Sequence, residues 1–280
     1  MLNQVKITIL VENRVSRANL IAEQGLALFI ETPEGNFLFD TGQSDVFLRN
    51  AEQLGIDLKQ IRAIILSHGH YDHTNGLYYY LKKYGEARVI CHYNLFHKKY
   101  KIINGQRMFI GISHEEDELK RLGAQFEYVN NPHHLTEDII ISGEISRLTD
   151  FENVYEDYEE RVLESYIPDE LHDDMALYLN TERGLIVLLG CGHSGVINTI
   201  KQGLRLTEQK EIFAVMGGMH LSHASEERIN KTIHALQELN PQYIVPLHCT
   251  GFRMINRLFN EFEDRILLYN VGDQLTLDLP

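Results

Sequence analysis

Residues 61–76 read IRAIILSHGHYDHTNG. The run 61–66 is apolar and β-branched apart from Arg62, which predicts a buried strand. It ends in a polar loop carrying His68, His70, Asp72 and His73. A rigid strand fixes where its loop starts, so strand ends are good places to build a metal site. His68 and His70 alternate, and in extended backbone both can point the same way. Asp72 and His73 are adjacent and cannot share one direction there, which suits them to a second ion beside the first. Gly69 and Gly76 allow the tight backbone that such convergence needs. Histidine and carboxylate are ordinary zinc ligands, and imidazole also suits iron, copper and nickel. The bland alternative is a histidine-rich surface turn. Four candidate ligands in six residues, straight after a buried strand, weigh against it.

Working outward, strands are expected at 5–11, 25–31 and 36–40, the last two joined by a Pro33-Glu34-Gly35 turn. Helical spacing covers 45–54 and 74–84, and 87–91 reads as a further strand. Residues 135–146 have β character. Strands 176–180 and 185–189 flank a turn, and helix 193–206, strand 213–216, helix 225–239, strand 243–247 and helix 251–262 follow. A last β hairpin is expected over 266–279. Four of these strands run into histidine loops, at His68, His193, His220 and His248. His92, His97, His114, His133 and His134 are scattered and read as surface or core residues. The acidic stretch 150–170 reads as a solvated helix or loop face.

HGHYDH, residues 68–73, matches the HxHxDH signature of the metallo-β-lactamase superfamily. The resemblance extends from FDTG (39–42) to PLHCTG (246–251), most of the chain. GCGHSG and GGMHL resemble one branch in particular, often named dihydropterin–ribofuranosylaminobenzene phosphate synthase-like. The resemblance implies one α/β (α+β) domain over 1–280, an αββα four-layer sandwich with its site at one edge. It also implies a specificity insert around 92–170, so that 150–170 becomes a lid with Tyr155, Tyr158 or Tyr166 reaching in. By the same resemblance Asp40 holds the metal loop from below. His68 and His70 go to a first ion, Asp72 and His73 to a second, and His248 completes the second. Cys191 stands where a bridging aspartate is usual, as a thiolate ligand or a buried apolar residue. His193 is the preferred third ligand of the first ion. His172 is its rival, because it precedes the strand pair. Cys249 is expected to point away, and His220 to face substrate or to bond loop backbone.

The chain has 280 residues and a net charge of −14, with no basic run, so nucleic acid is a poor expected partner. Three widely spaced cysteines are no disulfide framework. No export signal or long apolar run is visible, and a cytoplasmic protein is expected. The leading function is metal-dependent hydrolysis of a small, anionic ester, lactone or phosphate-type substrate by a metal-bound hydroxide. Two divalent ions are expected, zinc foremost, with iron or manganese as alternatives. Asp72 would orient the nucleophile and His220 protonate the leaving group. The rival readings are an iron-dependent oxidoreductase of the same fold and a metal-bearing metabolite-binding protein without turnover.

Overall fold

The computed structural model describes residues 1–154 and 157–278. Its first half runs β1 (Gln4–Val11), β2 (Ala27–Thr32), β3 (Gly35–Phe39), α1 (Val46–Gln53), β4 (Ala63–Ile65), α2 (Tyr71–Thr74), α3 (Gly76–Tyr84) and β5 (Ala87–His92). There follow β6 (Lys98–Ile103), β7 (Gln106–Phe109), α4 (Glu116–Arg121), β8 (Ala124–Val129), β9 (His133–His134), β10 (Ile139–Ile141), β11 (Tyr158–Val162) and β12 (Ser165–Pro168). The remainder is β13 (Ala176–Thr181), β14 (Gly184–Leu189), α5 (Val196–Thr207), β15 (Ile212–Gly218), α6 (Glu226–Leu239), β16 (Tyr243–Leu247), α7 (Phe252–Phe262) and β17 (Gln274–Asp278).

Two mixed sheets dominate, ordered β17-β1-β2-β3-β4-β5-β8 and β16-β15-β14-β13-β10-β9. Strand side chains alternate between faces, so each central strand feeds two cores. Phe37, Phe39 and Ile65 point inward and meet Leu177, Leu188, Met216 and Val245 of the other sheet. Leu38, Ile64 and Val89 point outward, under Phe47, Leu77, Leu81 and Leu119 of the first set of helices. On the far side Val187, Val215 and Ile244 pack under Ile197, Ile200, Leu236 and Leu258. This is the expected αββα sandwich. Helix α6 begins as its sequence suggests: Ser225 accepts the Arg228 N–H, with Glu226 and Glu227 in the first turn.

The arrangement of parallel strands positions the site. β3 and β4 run parallel in one sheet, and β14, β15 and β16 run parallel in the other. Their carboxyl ends carry Asp40, His68, Cys191, His220 and His248. Ligands of open α/β sheets sit at such ends.

Two expectations need correction. The acidic stretch 150–170 is not a helix: β11 and β12 pair as a hairpin and join β6 and β7 in a third sheet. The hidden factor is partner charge from β6, β7 and the turn before them, since Glu159 pairs with Arg107 and Glu160 with His97. Tyr155 lies outside the described residues, and Tyr166 packs on Tyr100 and Arg107. The hairpin expected over 266–279 is also absent. Ile266 makes an isolated bridge to Ile244 of the second sheet, whereas β17 pairs with β1 of the first. The break lies at Asn270–Asp273, where Asp273 folds back to accept the Asn270 N–H. Within 92–170, β8 joins the first sheet and β9 and β10 the second. Among the described residues no helix is long and apolar enough to cross a membrane.

Candidate metal centre

Asp40 is the floor of the site. It is fully buried, accepts the Ser67 N–H and hydroxyl at 2.7 Å each, and lies 2.6 Å from His73 Nδ1. One carboxylate thus fixes both ends of the metal loop. Asp40, His220 and His248 all adopt left-handed backbone, with φ of 59°, 46° and 47°. Such conformations are uncommon outside glycine and cost about 1–3 kcal/mol each. Their concentration at one rim aims three side chains inward. Gly76 supplies the close approach expected of it: a Cβ there would collide with the Thr41 carbonyl.

One pole of the site gathers His68, His70 and His193, one ring nitrogen from each lying within 4.8 Å of the others. His68 Nε2 is 2.9 Å from His70 Nδ1. The Nε2 atoms of His70 and His193 are buried without a hydrogen-bond partner, an expensive state for a polar atom. Burial, reinforced by neighbouring imidazoles, holds the pKa values of His68 and His193 well below the usual histidine value. Burial and then the Lys99 ammonium lower that of His70 to about 3. Three neutral imidazoles whose lone pairs converge form a donor set for a divalent cation.

The other pole gathers Asp72, His73 and His248 within the same 4.8 Å. His73 Nε2 is 3.2 Å from His248 Nε2 and 3.2 Å from Cys191 Sγ. Here charge outweighs burial. Burial alone would lower the His73 pKa, but Asp40 lifts it to about 9. Burial would raise that of Asp72, but His73, His248 and His70 bring it below the usual carboxylate value. His248 is steadied by Glu12, which accepts its N–H at 2.7 Å, and by Asn13 at 2.9 Å from Nδ1. Gln24 donates to Asp72 at 3.2 Å.

Every residue preferred as a ligand from the sequence therefore comes to one place. His172 does not: its side chain is 57% exposed and faces Glu144. Cys249 corrects its expectation. It lines the cavity, and its sulfur lies within 4.8 Å of Cys191 Sγ and a His248 nitrogen. The 3-10 turn at His248–Thr250 swings it inward. His220 stacks near His193, centroids 4.3 Å apart, and its Nε2 is 3.1 Å from the Tyr158 hydroxyl. Tyr158 in turn stacks on His70, so the third sheet supplies one wall of a cavity of about 710 Å³. The scattered histidines lie off this cavity.

Sequence reasoning missed the supports. Lys99, on β6 and 1% exposed, bridges Asp169 and Asp173 at 2.9 Å each. Asp173 also accepts the Gly69 N–H at 2.7 Å, between His68 and His70. Its neighbour Asp174 accepts the Ser194 N–H at 2.7 Å, beside His193. One loop thus holds both histidine turns. Glu12 and Asn13 could have been found, as polar residues directly after a buried strand.

A family model for the metallo-beta-lactamase superfamily matches residues 20–191, and the chain belongs to that superfamily, whose fold implies divalent-metal binding. More particular relatives exist. Uncharacterized protein MJ0448 of Methanocaldococcus jannaschii is 34% identical over 253 residues, covering 90% of this chain and 93% of that protein. The 7,8-dihydropterin-6-methyl-4-(beta-D-ribofuranosyl)-aminobenzene-5'-phosphate synthase of the same organism is 32% identical over 258 residues, 87% of this chain and 86% of the enzyme. The crystal structure of Tm1679, described as a metal-dependent hydrolase of the beta-lactamase superfamily, matches with a TM-score of 0.84. It is 28% identical and covers 97% of this chain and 98% of that one.

Proposed function

We propose that the protein is a dinuclear metal-dependent hydrolase of a small anionic ester, lactone or phosphate-type substrate. The observation that carries this reading is the pair of buried donor clusters, with the unpartnered Nε2 atoms of His70 and His193 in one of them. His68, His70 and His193 would hold one cation and Asp72, His73 and His248 the other, with Cys191 between. Zinc suits this mixture of imidazole, carboxylate and thiol best. Bound there, the cations would supply Lewis acidity and lower the pKa of water from 15.7 to about 7.

The chain's own groups do the rest. Asp72, low in pKa and held by Gln24, is an ionised acceptor that orients the attacking water. His220, held by the Tyr158 hydroxyl at the cavity wall, is placed to protonate the leaving group. The third sheet excludes water and, as an insert, would set specificity. A chain of net charge −14 disfavours polyanions such as nucleic acid. Three free thiols suit a reducing, cytoplasmic setting. The synthase among the relatives extends the candidate substrates to phosphorylated pterin-type intermediates and to bond formation.

The test is a panel of phosphodiesters, lactones and thioesters assayed with metal-loaded protein. Turnover that is lost with chelator and in Asp72→Ala is expected. Turnover undiminished by both would sink the mechanism. Tight metal binding without turnover of any panel member would favour the synthase or binding-protein readings.

A further inference from the structure

The donor sets above leave one group unused. Cys249 follows His248, lines the cavity, and places its sulfur within 4.8 Å of Cys191 Sγ and a His248 nitrogen. Cys191 itself belongs to three such groups: with His68 and His73, with His193 and His220, and with His248 and Cys249. The two sulfurs come from the ends of different strands, β14 and β16. Room for them is made by Gly218 at the end of β15, where a Cβ would meet both Cys249 Sγ and the Cys191 Cα. A side chain at 218 would collide with the Gly190 carbonyl and with Cys249 Sγ, so the backbone or that sulfur would have to move. The Cys249 thiol makes a long contact, 3.5 Å to the Cys191 carbonyl, and its sulfur also meets the side chains of Cys191 and His220, so it sits inside the cluster of candidate donors.

We infer that Cys249 and Cys191 form a pair of sulfur donors on the second cation, which make this centre select soft or borderline metals. This rests on the reading of the cluster as a metal centre. The chemistry follows from ligand softness. Thiolates favour zinc and iron–sulfur type coordination, whereas manganese and magnesium prefer carboxylate, carbonyl and water. A centre whose shared position carries sulfur, with a second sulfur beside it, discriminates against hard ions without any change in the imidazole frame.

The experiment uses the full chain, stripped with chelator and reloaded with cobalt(II), with bound metal counted by elemental analysis. Thiolate bound to cobalt(II) absorbs in the near ultraviolet, and that band reports sulfur ligation without any turnover. The wild type is expected to show the band, Cys249→Ser to lose part of it, and Cys191→Ser/Cys249→Ser to lose all of it, with cobalt still bound. Cys249→Ser is also expected to lower zinc affinity by at least the roughly tenfold that losing even a partner of a ligand costs, and to leave manganese affinity unchanged. In wild-type protein, loading with zinc is expected to protect Cys249 from iodoacetamide, read by mass spectrometry, which avoids variants that fail to fold. Cobalt bound with an identical band in Cys249→Ser, or equal alkylation of Cys249 with and without zinc, would overturn the inference alone. Failure of the wild type to bind cobalt or zinc at all would overturn the metal-centre reading beneath it.

Discussion

The two poles of the centre are held by different means. At the first, His68, His70 and His193 are uncharged, and the carboxylates beside them grip backbone: Asp173 takes the Gly69 N–H and Asp174 the Ser194 N–H, while the Ser67 hydroxyl meets His68 Nδ1. At the second, most supports reach the side chains themselves, Asp40 on His73, Asn13 on His248 and Gln24 on Asp72, with Glu12 on the His248 backbone N–H. The first pole is tuned by burial and the second by charge pairing. Neighbouring sites that look alike as ligand lists thus differ in charge, softness and proton content. Their cations should differ too.

The largest expected effect comes from removing one imidazole of the neutral pole. His193→Ala should lose the first cation and with it all turnover, whereas His172→Ala should match the wild type in bound metal and kcat. Elemental analysis beside a turnover assay reads both. Full metal content in His193→Ala would break the division into poles.

Next comes the support of the neutral pole. Lys99→Met leaves Asp169 and Asp173 buried without their cation, and breaking one partner of a buried pair costs about 3–5 kcal/mol. Burial would raise the Asp173 pKa, and the Lys99 ammonium instead brings it down. Urea unfolding should show the loss, and the first cation should weaken more than the second. Equal weakening of both would mean that the Lys99 cluster serves the whole fold. Asp40→Asn probes the charged pole. It keeps the size of the side chain but removes the negative charge facing His73, and such changes lower metal affinity about 10–100-fold. Here the second cation should suffer more.

The sandwich and the clustering of the candidate ligands were legible because both rest on local pattern. The alternation of Phe37, Leu38 and Phe39 fixes inward and outward faces, and HGHYDH, GCGHSG and PLHCTG each sit at a strand end. What stayed hidden depends on partners far along the chain. Nothing near Lys99 in sequence shows that Asp169 and Asp173 will meet it 70 and 74 residues later. The β11–β12 hairpin was hidden for the same reason, its acids being offset by bases brought from 97–107. Cys249 was misjudged because strand alternation does not apply once the chain enters the turn at His248–Thr250.

The smallest effect is the sharpest comparison of the poles. At pH 7 the imidazoles of the first pole already have free lone pairs, His70 lying at about 3, so those histidines should release no proton when its cation loads. His73 lies at about 9 in the metal-free protein and must give up a proton before it can ligate. Loading the second cation should therefore release at least one. Calorimetric titration in buffers of different ionisation enthalpy counts these protons step by step. The same asymmetry appears in stability. His73 is raised above its unfolded value of about 6.5. Its contribution to the metal-free fold is therefore fully present below that pH and fades as pH rises through about 9. Metal-free protein should lose thermal stability across this window, and Asp40→Asn should flatten the loss. If both cations released the same number of protons, the contrast between a neutral and a charged pole would be wrong, and the two ions would have to share one set of ligands.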